Sequence, residues 1–173
     1  MVQSKITIRD VVAEDLKLIY QWENNSENWE VSETTKPFTF DEIKALIDSS
    51  SDFSKTQQKR WMIILTETNE PIGTVDIFQG NLDSGEVGVG ILIEEVKHRK
   101  KGYATEAINQ MIQLSSTRLG IQTYHVTVHQ NNTSSIRLFE KCGFQTYESE
   151  HLNANFDKVS KETIKMKLCV KKS

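Results

Sequence analysis

The sequence has few of the residues that mark special classes of protein. Its two cysteines, Cys142 and Cys169, are too few for a disulfide framework. Two prolines and eight glycines in 173 residues exclude a collagen-like or linker-rich chain. No apolar run approaches the roughly 18 residues of a membrane span, and the first residues lack the apolar segment of a signal peptide. We therefore expect one cytoplasmic domain over residues 1–173.

The charge balance is mildly acidic. Lysine and arginine number 21 against 24 aspartates and glutamates, so the formal net charge is -3 and the pI is about 5.8. This balance removes the long-range attraction that nucleic-acid binding usually needs, unless one face is locally basic. Hydrophobic residues at 37% and charged residues at 26% are ordinary globular values. We expect no nucleic-acid partner and no membrane partner.

Apolar periodicity predicts an α/β (α+β) fold. Residues 39–42 form a capping box that starts a helix, and the serine-rich residues 49–58 are predicted to be a loop. The predicted order is β-α-α-β-β-β-α-β-α-β-β, with about seven strands and about four helices. Strand-helix-strand passages imply some parallel pairing, so the sheet is expected to be mixed, and mostly antiparallel, with helices packed on it.

Basic residues, a glycine and a helix start follow one another over residues 96–105. The first N–H groups of a helix lack intrahelical acceptors, and the helix dipole adds positive potential there. Gly102 permits close approach to the backbone, and the preceding basic side chains add charge-assisted bonds. The segment therefore predicts an anion site suited to a pyrophosphate. The alternative is a solvated basic turn.

Two familiar phosphate motifs are absent from the sequence. No G-x-x-x-x-G-K-[ST] occurs, and Gly85, Gly88 and Gly90 lie before and within a strand, which does not support a dinucleotide fingerprint. Glycine inside an apolar strand is typical either of a bulge or of close approach by a ligand. Both interpretations of Gly88 and Gly90 stay open.

Two motifs carry a resemblance to a known family. Arg99-x-x-Gly102-x-Ala104 resembles the Q/R-x-x-G-x-G/A motif of the GCN5-related N-acetyltransferases (GNAT family). Residues 132–144 are similar to the family's N-x-x-S/A-I-x-L-Y/F-E-K-x-G-F element, and two motifs in the right order are far more specific than either alone. A likeness to the ribosomal-protein-alanine and polyamine acetyltransferase branch is carried by Trp22, Trp29, Pro37 and Phe38.

The resemblance implies an N-acetyltransferase that moves the acetyl group of acetyl-CoA to a primary amine by direct attack in a ternary complex, with no metal. The acceptor it implies is a small-molecule amine or a protein amino terminus, and a homodimer is left open. Residues expected to bind the pantetheine arm are Ile91, Leu92 and Ile93. Residues expected to hold the pyrophosphate are Arg99, Lys100, Lys101, Gly102, Tyr103, Ala104 and Thr105. Asn132 is expected to contact the cofactor.

Acetyl transfer requires a group that takes a proton from an alkylammonium, whose pKa is about 10.4. Glu86 is the candidate base, because it begins the strand whose far end is expected to bind pantetheine and shares a face with Gly88 and Gly90. Glu86 as an exposed edge residue, and His125 as the base, are the alternatives.

The leaving thiolate and the developing oxyanion need hydrogen-bond donors. Family members often have a tyrosine where this chain has Phe139, which has no proton to donate. Ser135 is the candidate donor, and the alternatives are Asn132, Tyr103, Tyr147 or no acid at all, since a thiol has a pKa of about 8.5. Phe139 also motivates an alternative function, a catalytically silent acyl-CoA-binding module.

The acceptor pocket is expected between the first two helices and the last hairpin. Trp22, Trp29, Glu30 and Glu33 are the candidate contacts. The acidic residues of this region could attract a cationic amine, and solvated loop charge is the alternative.

Overall fold

A computed structural model describes residues 4–28, 36–49, 52–147 and 162–171. Its centre is a seven-stranded sheet with the strand order β1-β2-β3-β4-β5-β7-β6. The strands are β1 (Ile6–Asp10), β2 (Lys59–Leu65), β3 (Pro71–Asn81), β4 (Glu86–Ile93), β5 (Thr123–His129), β6 (Gln145–Thr146) and β7 (Thr163–Cys169). All neighbouring strands are antiparallel except β4 and β5. The predicted mixed, mostly antiparallel α/β fold is confirmed.

The described residues also form five α-helices. These are α1 (Leu16–Glu23), α2 (Phe40–Ser49), α3 (Phe53–Thr56), α4 (Tyr103–Leu119) and α5 (Thr133–Lys141). The capping box of α2 is confirmed, since the Glu42 amide donates to Thr39 Oγ1 at 3.2 Å and the Thr39 amide donates to Glu42 Oε2 at 2.7 Å. No helix in this part of the chain is long and apolar enough to cross a bilayer.

The prediction of a loop over residues 49–58 is wrong at α3. The Asp52 side chain caps this short helix by accepting from the Ser54 amide at 3.1 Å. Phe53 is 5% exposed and anchors the helix in the core. One buried aromatic residue thus orders a segment whose serine-rich composition indicates a loop.

Side chains alternate between the two faces of the sheet and feed two apolar clusters. In β2, Trp61 and Ile63 belong to one cluster and Met62 and Ile64 to the other. Helix α4 packs on the first face, where the hydroxyls of Ser115 and Tyr124 are 2.8 Å apart. Helices α1 and α2 pack on the second face through Ile19, Trp22 and Ile43.

Strands β4 and β5 separate partway along the sheet. They pair only at residues 86–88 of β4, where Gly88 is the last partner, opposite His125. Beyond this point β4 stays paired with β3 as far as Ile93, while β5 stays paired with β7 as far as His129. A wedge-shaped gap therefore opens between two strands that begin side by side.

Candidate active site

The gap between β4 and β5 leads into a cavity of about 530 Å³. Residues 88–92 of β4 form one wall and residues 125–129 of β5 the other. Predicted cofactor and donor residues meet there, since the cavity is also lined by Ile91, Leu92, Asn132 and Ser135. The sequence motifs and the strand separation thus converge on one place.

Helix α4 begins at the predicted anion site. Gly102 precedes the helix with φ 88°, a left-handed conformation that favours glycine, and no side chain caps the helix. The first intrahelical bond runs from the Glu106 amide to the Gly102 carbonyl at 3.1 Å. The amides of Tyr103, Ala104 and Thr105 come before that bond, so they are the donors that a helix start offers to an anion.

The basic residues before α4 have different surroundings. Lys100 and Lys101 are exposed. Arg99 is also exposed, but its Nε donates to the Ile93 carbonyl at 3.0 Å and its Nη2 to the Glu94 carbonyl at 2.8 Å. Arg99 therefore ties the loop to the end of β4, a role that the motif alone did not indicate. A guanidinium has five N–H donors, so a phosphate bond from Arg99 stays a prediction.

Asn132 caps helix α5. Its Oδ1 accepts from the Ser135 amide at 3.1 Å. Both residues line the cavity, so the cap places an amide and a hydroxyl beside the gap. The cofactor contact of Asn132 and the donor role of Ser135 stay predictions.

Two candidate bases lie close together. Glu86 Oε1 is 3.8 Å from His125 Nε2, and His125 Nδ1 is 3.1 Å from the Tyr147 hydroxyl. His125 lines the cavity, whereas Glu86 lies in the paired part of β4, opposite Thr123. Burial lowers the pKa of His125 below its usual 6.5, and the lysines of β7 lower it further against the opposing effect of Glu86. His125 is thus neutral near pH 7 and able to accept a proton.

Phe139 offers the cavity an aromatic ring without a hydroxyl. It is 3% exposed and packs edge to face on Phe144, with ring centroids 5.1 Å apart. Nearby, burial raises the pKa of the Cys142 thiol to about 11, which makes it a poor nucleophile at neutral pH. Donors for the leaving group must therefore come from other residues.

Gly88 and Gly90 lie against side chains of β3, and only Gly88 lacks room for a Cβ. A Cβ on Gly88 would lie 2.7 Å from Phe78 Cε2, and one on Gly90 would lie 3.6 Å from Asp76 Oδ2. The irregularity in this strand pair lies between Phe78 and Asn81 of β3. A bulge or irregularity on β3 thus lies directly beside the pair of Phe78 and Gly88, and Gly88 makes room for the Phe78 ring. Close approach of a ligand to Gly88 and Gly90 stays a prediction.

Of the predicted acceptor contacts, Trp22 lines the cavity, whereas Trp29, Glu30 and Glu33 lie outside the described residues. The structure instead shows a charged cluster in the cavity wall that the sequence prediction missed, formed by Glu23, Arg60 and Asp76. Arg60 donates to Glu23 Oε1 at 2.7 Å and to both carboxylate oxygens of Asp76, at 2.7 and 2.9 Å. The signal was a charged residue inside each of two apolar strands, which indicates a paired or functional charge.

Comparison with known proteins finds the same architecture. Residues 5–145 match the family model for the acetyltransferase (GNAT) domain. The chain is 30% identical over 148 residues to the uncharacterized N-acetyltransferase p20 of Bacillus licheniformis, which covers 82% of this chain and 79% of that protein. It is 27% identical over 154 residues to spermidine N(1)-acetyltransferase of Vibrio cholerae, with coverage of 88% and 85%.

Solved structures repeat the fold at lower identity. The spermidine N-acetyltransferase of Vibrio cholerae in complex with CoA and spermine superposes with a TM-score of 0.80 at 22% identity, over 96% of each chain. A domain from Methanocaldococcus jannaschii superposes with a TM-score of 0.77 at 24% identity, over 97% of this chain and all of that one. Both are similar to this chain in the whole layout of sheet and helices.

Proposed function

We propose that this chain, which belongs to the acetyltransferase (GNAT) family, transfers the acetyl group of acetyl-CoA to a small primary amine bound in the cavity. The family model and the relatives confirm the family predicted from the two sequence motifs, and they confirm the enzyme class, N-acetyltransferase. The acceptor and the residues that act on it belong to the proposal.

One observation carries the proposal. The gap between β4 and β5 opens into the cavity, and β4, which forms one side of the gap, is the strand that leads into the start of α4. A thioester carried on a long arm with a pyrophosphate at its far end fits this layout. The arm would lie along Ile91, Leu92 and Ile93, and the pyrophosphate would bind the amides at residues 103–105. Lys100 and Lys101 would add charge-assisted bonds.

The acceptor would enter from the face on which His125 lies. Its nitrogen attacks the thioester carbonyl, so that a C–N bond forms and the C–S bond breaks. His125 takes the proton of the amine, directly or through a water molecule, and Glu86 stabilises the resulting imidazolium. Glu86 is then the partner of the base rather than the base itself. Ser135 donates to the developing oxyanion or to the departing thiolate.

The proposed function is tested by mixing the purified protein with acetyl-CoA and a panel of amines, and measuring free CoA thiol. The panel holds polyamines, monoamines, aminoglycosides, amino acids and peptides with free amino termini. We expect thiol release with a small primary amine. Release with none of them would contradict the proposal, and CoA binding by calorimetry without turnover would favour the catalytically silent module that Phe139 suggests.

Gly102→Ala is expected to weaken CoA binding by about tenfold or more, because the new methyl group would lie where a phosphate must approach the helix amides. Calorimetric titration with CoA measures the effect. Gly120→Ala is a matched control, since Gly120 lies at the other end of α4, has φ 70° and, like Gly102, has no atom within 4 Å of an added Cβ. Both variants should lose a similar stability, about 1 kcal/mol. Equal CoA affinity in the two would show that the anion site is elsewhere.

A further inference from the structure

Three residues that the proposed reaction does not use form a cluster near the end of β4. Glu70, Glu95 and His98 each offer one metal-ligating atom, and these atoms all lie within 4.8 Å of one another. The three are not among the described residues that line the cavity. An imidazole and two carboxylates are groups that hold divalent transition metals in proteins.

The backbone brings the three side chains together. A 3₁₀ turn follows β4, and the His98 amide in it donates to the Glu95 carbonyl at 2.9 Å. Side chains three residues apart eclipse in such a turn, so those of Glu95 and His98 lie on the same side. Glu70 immediately precedes β3, whose start is held beside the end of β4 by the bond from the Glu94 amide to the Ile72 carbonyl at 3.1 Å.

His98 provides a second observation that points to a ligand. Its side chain is 8% exposed, and neither ring nitrogen has a hydrogen-bond partner in the part of the chain that the structure describes. Its Nε2 faces the cluster at 3.6 Å from Glu70 Oε1, which is too long for a hydrogen bond. Buried polar atoms are rarely left unpaired, and an ion or a water molecule is the partner to look for where the protein supplies none.

The spacing of the ligand atoms fits a metal ion. Zinc bonds to nitrogen and oxygen of about 2.0 to 2.2 Å put two ligands of a tetrahedral site about 3.3 to 3.6 Å apart. The distance from His98 Nε2 to Glu70 Oε1 is at the upper end of this range. The exposed carboxylate of Glu95 completes three protein ligands by a small side-chain rotation, and water would take the fourth position.

A positive charge already lies beside the two carboxylates. Lys97 Nζ is 2.9 Å from Glu95 Oε2 and 3.7 Å from Glu70 Oε1. The hydrogen bond to Glu95 raises the pKa of Lys97, and the charge of Glu70 adds to the rise. Because the Lys97 side chain is 58% exposed, it can turn into solvent when a divalent ion binds. The ammonium and the metal therefore compete for the same carboxylates.

We propose that Glu70, Glu95 and His98 bind a divalent transition-metal ion such as Zn²⁺. The imidazole nitrogen favours Zn²⁺ or Co²⁺ over Mg²⁺, which prefers octahedral oxygen ligands. The ion would hold the turn before β3 to the segment that leads into Arg99 and the predicted anion site. This site is structural and goes beyond the proposed acetyl transfer, which uses no metal.

Calorimetric titration of the purified full chain with ZnCl₂, and with MgCl₂ for contrast, tests the site. We expect saturable binding of Zn²⁺ and much weaker binding of Mg²⁺. Glu70→Gln should weaken the affinity for Zn²⁺ by about tenfold or more, since even loss of a group that only orients a metal ligand costs that much. Glu67→Gln, an exposed carboxylate in the same turn, should leave the affinity unchanged.

Lys97→Gln gives a test that a folding defect cannot imitate. Removal of the competing ammonium should raise the affinity for Zn²⁺ by about twofold or more, because an exposed ion pair is worth up to that order. A lower or unchanged affinity would contradict the position of the ion between the two carboxylates.

Co²⁺ identifies the ligands, since the free thiols of Cys142 and Cys169 would give an intense near-ultraviolet band that nitrogen and oxygen ligands do not give. A Co²⁺ complex without that band supports the site. The proposal is overturned by a thiolate band, by the absence of Zn²⁺ binding, or by equal affinity in Glu70→Gln and Glu67→Gln. None of these outcomes bears on acetyl transfer, which the release of CoA thiol tests separately.

Discussion

His125→Gln is expected to lower kcat by about 10²- to 10⁴-fold, the usual contribution of a positioned general base. Glutamine keeps a hydrogen-bonding group near the Tyr147 hydroxyl but cannot take up a proton at neutral pH. The affinity for CoA should change little, because the proposed cofactor contacts lie on β4, α4 and α5. Steady-state kinetics beside a calorimetric CoA titration measure both quantities, and an unchanged kcat would remove His125 from the role.

The pH dependence of kcat gives a second readout for His125 and its partner Glu86. The base must be neutral to act, and the pKa of His125 is lowered, so kcat should fall only as pH drops below about 6.5, the usual histidine value. Glu86 raises that pKa by its negative charge. Glu86→Gln should therefore move the acid limb to lower pH as well as reduce kcat. An acid limb that stays in place would show that His125 is not the group whose protonation limits kcat.

Gly73→Ala is expected to destabilise the fold by about 3 kcal/mol or more, a large part of the usual 5 to 15 kcal/mol. An added Cβ would lie 1.9 Å from the Leu92 carbonyl oxygen, which is backbone and cannot rotate away. Strands β3 and β4 would have to separate at the pair Gly73 and Ile93, at the edge proposed to bind the cofactor. Denaturant unfolding measures the loss.

Gly120→Ala is the control for this variant too. Its added methyl group meets no atom within 4 Å, so only the strain of its left-handed backbone remains. Its loss of stability should stay near 1 kcal/mol. Similar stabilities for Gly73→Ala and Gly120→Ala would mean that β3 and β4 separate easily at this edge.

Local patterns predicted the elements of this fold well. The strand at Glu86–Ile93 and the start and end of α4 follow from apolar alternation, from a period near 3.6 and from Gly120. Helix α3 was missed because its one apolar anchor, Phe53, lies among polar residues. One apolar residue does not predict a helix in a serine-rich segment, but the burial of that residue in the core stabilises the helix.

Features that depend on contacts distant in sequence could not be predicted. The need for glycine at position 88 is explained only by the Phe78 ring across the sheet, and no local sequence pattern identifies that partner. Arg60 and Asp76 likewise belong to different strands that the fold brings into register. Motifs could predict an anion site because all its parts are close in the chain, while the proposed acceptor side is assembled from several elements.

The separation of β4 from β5 also bears on cooperativity. Within the sheet, the part formed by β1 to β4 and the part formed by β5 to β7 are joined by only three residue pairs. A cofactor bound in the gap would act as an additional strand that bridges the two parts, in the manner of β-strand addition. The free energy of cofactor binding would then stabilise the association of the two parts of the sheet. Acetyl-CoA would thus stabilise the sheet as well as donate the acetyl group, and it would be replaced at each turnover.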